Sequence, residues 1–169
     1  MSSSLGDGKL PLLHVDDSVD DRCLVKEAIT ITKTPFTYHE ADGLESAMLY
    51  FQLHGQHGEL EQHPAMVLLD YELGGNTTGV DFLYWLRVRK KITALPVVMF
   101  SGSPGRGHIA ECYAAGADHY LTKPSEMERL KRIVSTLYIG LVSRPPDPIP
   151  LLKEYQPDPR DPTRAEVSA

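Results

Sequence analysis

Four apolar runs in this chain each stop at a residue able to take part in metal-assisted phosphoryl chemistry. Leu12–Val15 runs into Asp16 and Asp17, Ala65–Leu69 into Asp70, Pro96–Phe100 into Ser101, and His119–Thr122 into Lys123. Short apolar runs bounded by polar residues read as buried strands. In a parallel sheet their C-terminal ends share one edge, so the polar groups would converge there. Three carboxylates suit a hard divalent cation, which takes oxygen ligands. A hydroxyl and an amine beside them suit the oxygens of a phosphoryl group.

The segments between these runs must supply that common edge. Ser18 is placed to cap a helix with Asp21 three residues on, and Leu24, Val25, Ala28 and Ile29 form its apolar stripe. Phe36–Ala41 alternates as a second strand after Pro35, and Leu44, Ala47, Met48 and Phe51 make the stripe of a second helix. A polar loop spans 54–64. Val80, Phe82, Leu83, Leu86 and Val88 belong to a third helix carrying Trp85. A helix over 109–115 stops at Gly116, a natural residue after a helix end. A last amphipathic helix covers 126–141. Strand–helix alternation repeated five times predicts an α/β fold: a doubly wound, five-stranded parallel sheet of order 2-1-3-4-5 with helices on both faces.

The 169 residues fit one domain with some length left over, and the 41% hydrophobic content is ordinary for a globular chain. A net charge of -6 argues against a nucleic-acid surface. The strongest basic cluster, Arg87–Lys91, reads as the solvated end of the third helix, where cations suit the helix dipole. Cys23 and Cys112 lie within helical patterns without metal-like spacing and read as buried thiols in a reducing compartment. The first residues lack the apolar core of a secretion signal, and no apolar run nears the roughly 20 residues of a membrane helix. A cytoplasmic location without membrane contact is expected. Seven of the 13 prolines fall after residue 144. The expected organisation is therefore an N-terminal tail over 1–9, a domain over 10–141 and a Pro-rich tail over 142–169. That tail is extended and solvated, or docks through Ile149, Leu151, Leu152 and Tyr155.

With Asp16-Asp17, Asp70, Ser101-Gly102 and Lys123-Pro124 in this order, residues 10–140 resemble the receiver domain of two-component response regulators, a flavodoxin-like fold. The resemblance implies that Asp70 is the phosphoacceptor. It further implies that Asp16, Asp17, Asp70 and the backbone carbonyl of Glu72 hold Mg²⁺, and that Lys123 and Ser101 contact the phosphoryl oxygens. Ser101 and Tyr120 would form the switch: Ser101 moves towards the phosphoryl group, and an aromatic ring at Tyr120 turns inward. The surface of helix four, strand five and helix five would carry the readout. A cis Lys123–Pro124 peptide is implied as well. Glu72 and Ser103 occupy positions that in this family tune hydrolysis of the acyl phosphate. The loop Tyr71–Gly79 departs from the family, with Gly74 where proline is common and about one extra residue.

Each motif has a plainer reading. Aspartates often start loops as helix caps, a lone lysine is usually solvated, and Tyr120 could be an ordinary strand aromatic. The run Ser103–His108 is glycine-rich but lacks a Walker ending, so it reads as a mobile activation loop. His54, His57 and His63 lie in a polar loop without a scaffold for metal, and His14 reads as a packed core histidine. The function expected is a stand-alone receiver that takes its phosphoryl group from a sensor histidine kinase or a histidine phosphotransfer protein. It would signal to a downstream protein by contact, with homodimerisation through helices four and five open. It would assist its own phosphorylation without being an enzyme in the turnover sense. The alternatives are a phosphorylation-independent docking module of the same fold, and a phosphotransferase. The latter is disfavoured because strand one lacks the Asp-x-Asp-x-Thr pattern of aspartyl-phosphate hydrolases.

Overall fold

A computed structural model describes residues 8–55, 63–102 and 105–143. Five strands, β1 (Leu10–Val15), β2 (Phe36–Ala41), β3 (Met66–Leu69), β4 (Val97–Ser101) and β5 (His119–Thr122), form one parallel sheet in the order β2-β1-β3-β4-β5. The helices are α1 (Val19–Thr32), α2 (Leu44–Gly55), α3 (Gly79–Tyr84), α4 (Arg106–Ala114) and α5 (Met127–Ser143). The doubly wound fold expected from the alternation is the one observed. Of the Pro-rich tail expected over 142–169, residues 144–169 lie outside the described residues and 142–143 close α5; His57, Ser103, Pro104 and the side chain of His54 lie outside them too.

Alternation along each strand sends neighbouring side chains to opposite faces, and each face has its own core. Leu13, Val15, Val67, Leu69, Val97 and Met99 pack with Phe51, Phe82, Leu83, Leu86 and Cys112 from α2, α3, α4 and the turn after α3. On the other face Leu12, Leu68, Val98, Phe100 and Leu121 meet Val25, Ala28 and Ile29 of α1, with Ile133, Val134 and Leu137 of α5. Both faces of the central strands are covered, which is why these strands are continuously apolar. Among the described residues no helix is long and apolar enough to cross a membrane.

Three local expectations fail for geometric reasons. Leu24 is 43% exposed and Cys23 is exposed, because the buried side of α1 runs through Arg22, Val25, Ala28 and Ile29. The third helix does not continue as an α-helix: it passes at Trp85 into a π-helical turn, Trp85–Arg89. The wider turn leaves Val88 52% exposed. It also turns Arg87 inward, so the basic cluster is not simply a solvated face. The Arg87 guanidinium donates to the carbonyls of Ile92 (2.8 Å), Leu95 (2.9 Å) and Gly116 (3.0 and 3.1 Å) and pairs with Asp118 at 3.1 Å. Asp118 in turn accepts from the Val97 amide at 2.8 Å, so one arginine ties the π turn to the start of β4 and the approach to β5.

Replacing Arg87 with alanine strands those carbonyls, and loss of a charged donor of this kind costs about 2–3 kcal/mol. Urea unfolding of Arg87→Ala is expected to show that loss. Arg87→Lys should recover less than half of it, since an ammonium cannot fork across several acceptors.

Candidate functional site

The sheet ladder runs one residue past several of its strands, and that extra rung fixes the polar residues. Asp16 N–H donates to Ala41 O at 3.0 Å, Asp70 N–H to Val15 O at 2.9 Å, and Lys123 N–H to Ser101 O at 2.9 Å. Asp16, Asp70 and Lys123 are thus held at the C-terminal edge by the same register that builds the core. α3 begins directly against this edge. Gly79 donates to Tyr71 O at 2.7 Å, and a Cβ added at Gly79 would lie 2.3 Å from Asp70 O, so no other residue fits without moving that backbone. Gly74 has φ +83, which proline cannot adopt. The loop after Asp70 is therefore built differently from one that carries proline there.

The Lys123 ammonium sits among three carboxylates: Asp16 at 2.7 Å, Asp21 at 2.8 Å and Asp70 at 3.1 Å. Carboxylate oxygens of Asp16, Asp17 and Asp70 lie within 4.8 Å of one another, Asp16 and Asp70 buried and Asp17 exposed. That donor set fits a hard divalent cation, since all three side chains offer carboxylate oxygens. Ser101 closes β4 with its side chain buried next to this group. Tyr120 lies fully buried, and its hydroxyl faces Ser101 without a well-formed hydrogen bond. Glu72 is exposed, its backbone bridged antiparallel to Thr78.

Environment separates the two buried carboxylates. Burial raises Asp70 from 3.8 to about 6; Lys123 opposes the rise and the charge of Asp16 adds to it. Burial pushes Asp16 the same way, but hydrogen bonding from His14 and Lys123 outweighs it and holds Asp16 below the usual carboxylate range. Burial disfavours the charge on Lys123, yet Asp16, Asp21 and Asp70 hold its ammonium above its ordinary value. Burial lowers His14 despite the neighbouring Asp16, so its ring is neutral at pH 7.

The Lys123–Pro124 peptide, expected to be cis, is trans; no cis peptide occurs among the described residues. Trans is the lower form of an X–Pro bond by about 0.5–1 kcal/mol, and with it Lys123 already reaches all three carboxylates. The sequence reading missed several participants. Asp21 was visible only as the residue whose amide meets the Ser18 hydroxyl, at 3.2 Å. Its carboxylate turns to Lys123, and the signal was its place on the first turn of α1, directly above the strand ends. Arg22 donates to the Asp16 carbonyl. Tyr71 stacks on His108 with ring centroids 4.1 Å apart and donates to Glu111 at 2.8 Å, joining the residue after Asp70 to α4. Nothing in the sequence signals a contact across such a distance along the chain.

The family model for the response regulator receiver domain matches residues 12–135. Two-component response regulator ARR15 of Arabidopsis thaliana is 28% identical over 146 residues, covering 83% of this chain and 69% of that protein. The regulator ARR17 of the same plant is 30% identical over 134 residues, covering 73% of this chain and 83% of its own. Among solved structures, the phosphorylated cyanobacterial phytochrome response regulator RcpA superposes with a TM-score of 0.69 at 23% identity. The match covers 82% of this chain and 97% of that one.

The raised Asp70 carboxyl has a thermodynamic consequence. Between pH 3.8 and about 6 the folded protein binds the proton that the unfolded chain has released, so this group's contribution to stability falls as pH rises. Above pH 6 the full cost applies, roughly 3 kcal/mol at 1.4 kcal/mol per pH unit. Without divalent cations, Asp70→Asn should unfold at higher denaturant than wild type at pH 7. The gap should close towards pH 4, and Mg²⁺ should narrow it at pH 7.

Proposed function

The chain belongs to the response regulator receiver family, and from that premise we propose that Asp70 accepts a phosphoryl group from a sensor histidine kinase or a histidine phosphotransfer protein. The observation that carries this reading is the edge cluster itself, with Asp16, Asp17 and Asp70 grouped and the Lys123 ammonium 3.1 Å from Asp70. In the transfer, an Asp70 carboxylate oxygen bonds to phosphorus as the phosphorus–nitrogen bond to the donor histidine breaks. The departing imidazole takes up a proton, and an acyl phosphate forms. The receiver unit is assigned to residues 10–141, with 1–9 and 142–169 as flanking segments.

The residues have separate tasks. Asp16, Asp17, Asp70 and the Glu72 carbonyl are assigned to hold Mg²⁺. That ion supplies positive charge that keeps Asp70 anionic near pH 7 and offsets repulsion between the carboxylates and the donor's phosphoryl oxygens. Lys123 trades part of its pairing with Asp70 for a phosphoryl oxygen, and the Ser101 hydroxyl donates to another. Because Tyr120 is already fully buried, the switch assigned to Ser101 and Tyr120 is a repacking of buried groups. Drawing Ser101 towards the phosphoryl group would change what the Tyr120 hydroxyl faces, since Ser101 is its neighbour. The shift passes to the surface of α4, β5 and α5, where a downstream protein or a second copy of the chain reads it. A cytoplasmic location follows from the class of donor.

Mass spectrometry after treatment with acetyl phosphate and Mg²⁺ tests the assignment. The wild type should gain one phosphoryl group, and Asp70→Asn or a magnesium-free sample should gain none. A wild type that gains nothing would leave a docking module of the same fold. The Glu72 side chain is assigned to disfavour the water that attacks the acyl phosphate, so phosphorylated Glu72→Ala should lose its phosphoryl group faster than wild type.

A further inference from the structure

Lys123 carries a compact charge on a flexible four-carbon stem, so its backbone position alone does not place the ammonium. Three carboxylates do: Asp16 at 2.7 Å, Asp21 at 2.8 Å and Asp70 at 3.1 Å. Asp16 and Asp70 also belong, with Asp17, to the group whose oxygens can hold a cation, and Asp21 does not. The acceptor chemistry gives Asp21 no task of its own.

The helix cap explains how that carboxylate comes to the lysine. Ser18 caps α1, and its hydroxyl accepts from the amide of Asp21, the third residue of the helix, at 3.2 Å. In a capping box the acid at this position reaches back to the amide of the capping residue. Here the Ser18 amide donates to Asp16 Oδ1 at 2.9 Å instead. Asp21 Oδ2 accepts from the Lys123 ammonium, with the Asp21 side chain 34% exposed. The start of α1 favours negative charge through the helix dipole, and Asp20 shares that first turn but is exposed. Position on the turn, not acidity alone, brings Asp21 to the sheet edge.

We propose that Asp21 is a positioning residue for Lys123, a tether that keeps hold of the ammonium while its other partners change. The inference rests on the reading of Asp70 as the phosphoacceptor. In that reading an Asp70 oxygen becomes bonded to phosphorus, and Asp16 shares its charge with a cation. Asp21 stands outside both events and keeps its hydrogen bond. With one donor fixed there, Lys123 turns another from Asp70 Oδ2 to a phosphoryl oxygen. Without Asp21 the stem takes other rotamers, and the ammonium meets the phosphoryl oxygen less often.

Two measurements on the full chain test the tether, with circular dichroism confirming each variant's fold. ¹H–¹⁵N correlation spectra of lysine ammonium groups in the metal-free protein should show a Lys123 signal, because held donors exchange slowly with water. Asp21→Ala and Asp21→Ser should lose that signal, and Asp20→Ala should keep it. With Mg²⁺ and acetyl phosphate, mass spectrometry should show phosphorylation about tenfold slower in both Asp21 variants, within the roughly 100-fold that a misplacement of about 1 Å can bring. Asp20→Ala removes the same charge from the same helix turn and should match wild type. A wild type without the Lys123 signal, a signal or a phosphorylation rate unchanged in both Asp21 variants, or equal slowing in Asp20→Ala overturns the proposal. A wild type that gains no phosphoryl group would overturn the acceptor reading and this role with it. Loss of the Lys123 signal in the Asp21 variants would then leave a structural ion pair only.

Discussion

One ammonium group makes this site tolerable. Asp16, Asp21 and Asp70 all reach Lys123 within 3.1 Å, and Asp16 and Asp70 are buried. Carboxylates this close, largely removed from water, repel one another strongly, and burial further disfavours each charge. Lys123 offsets both penalties, while Asp17 of the same cluster is exposed. The arrangement is an uneven store of charge, three carboxylates meeting one ammonium.

The lysine can do this only because the sheet delivers it. Its amide forms the rung beyond β5, as those of Asp70 and Asp16 form the rungs beyond β3 and β1. A slip of one residue in any of these strands would turn the apolar set to the wrong face and move the polar end group with it. The two cores therefore enforce the site geometry, and the register Leu12↔Met66, Val67↔Val97 and Val98↔His119 is part of the functional design. Gly79 adds a second constraint, since α3 packs so closely against the Asp70 carbonyl that only a residue without a side chain fits.

Strand order, the two cores, and the meeting of Asp16, Asp17, Asp70 and Lys123 were legible because period-two apolar runs and their polar stops are local signals. What sequence could not supply were contacts that depend on turn geometry or on distance along the chain. The inward turn of Arg87 needs a π-helical turn, which leaves the helical apolar pattern almost intact. Asp21 looked like a helix-capping neighbour, and its pairing with Lys123, 102 residues later, exists only once α1 sits over the sheet edge. His14 was correctly read as a packed core histidine, yet its burial said nothing of what its two nitrogens touch. The trans Lys123–Pro124 bond departs from what the family resemblance implied, and no residue pattern encodes an isomer.

The difference between Asp16 and Asp70 is itself a product of neighbours. Both follow strands, both are buried and both touch Lys123. Asp16 receives in addition the Ser18 amide and faces His14, so its charge is stabilised and its oxygens are committed. Asp70 has the Tyr71 amide at 2.7 Å and the more distant contact to Lys123, and it lies in the field of Asp16. Asp70 is the less satisfied of the two, and burial makes its charge the more costly. Two chemically identical groups are thus satisfied unequally, and the inequality is set by Ser18, His14 and Tyr71 around them.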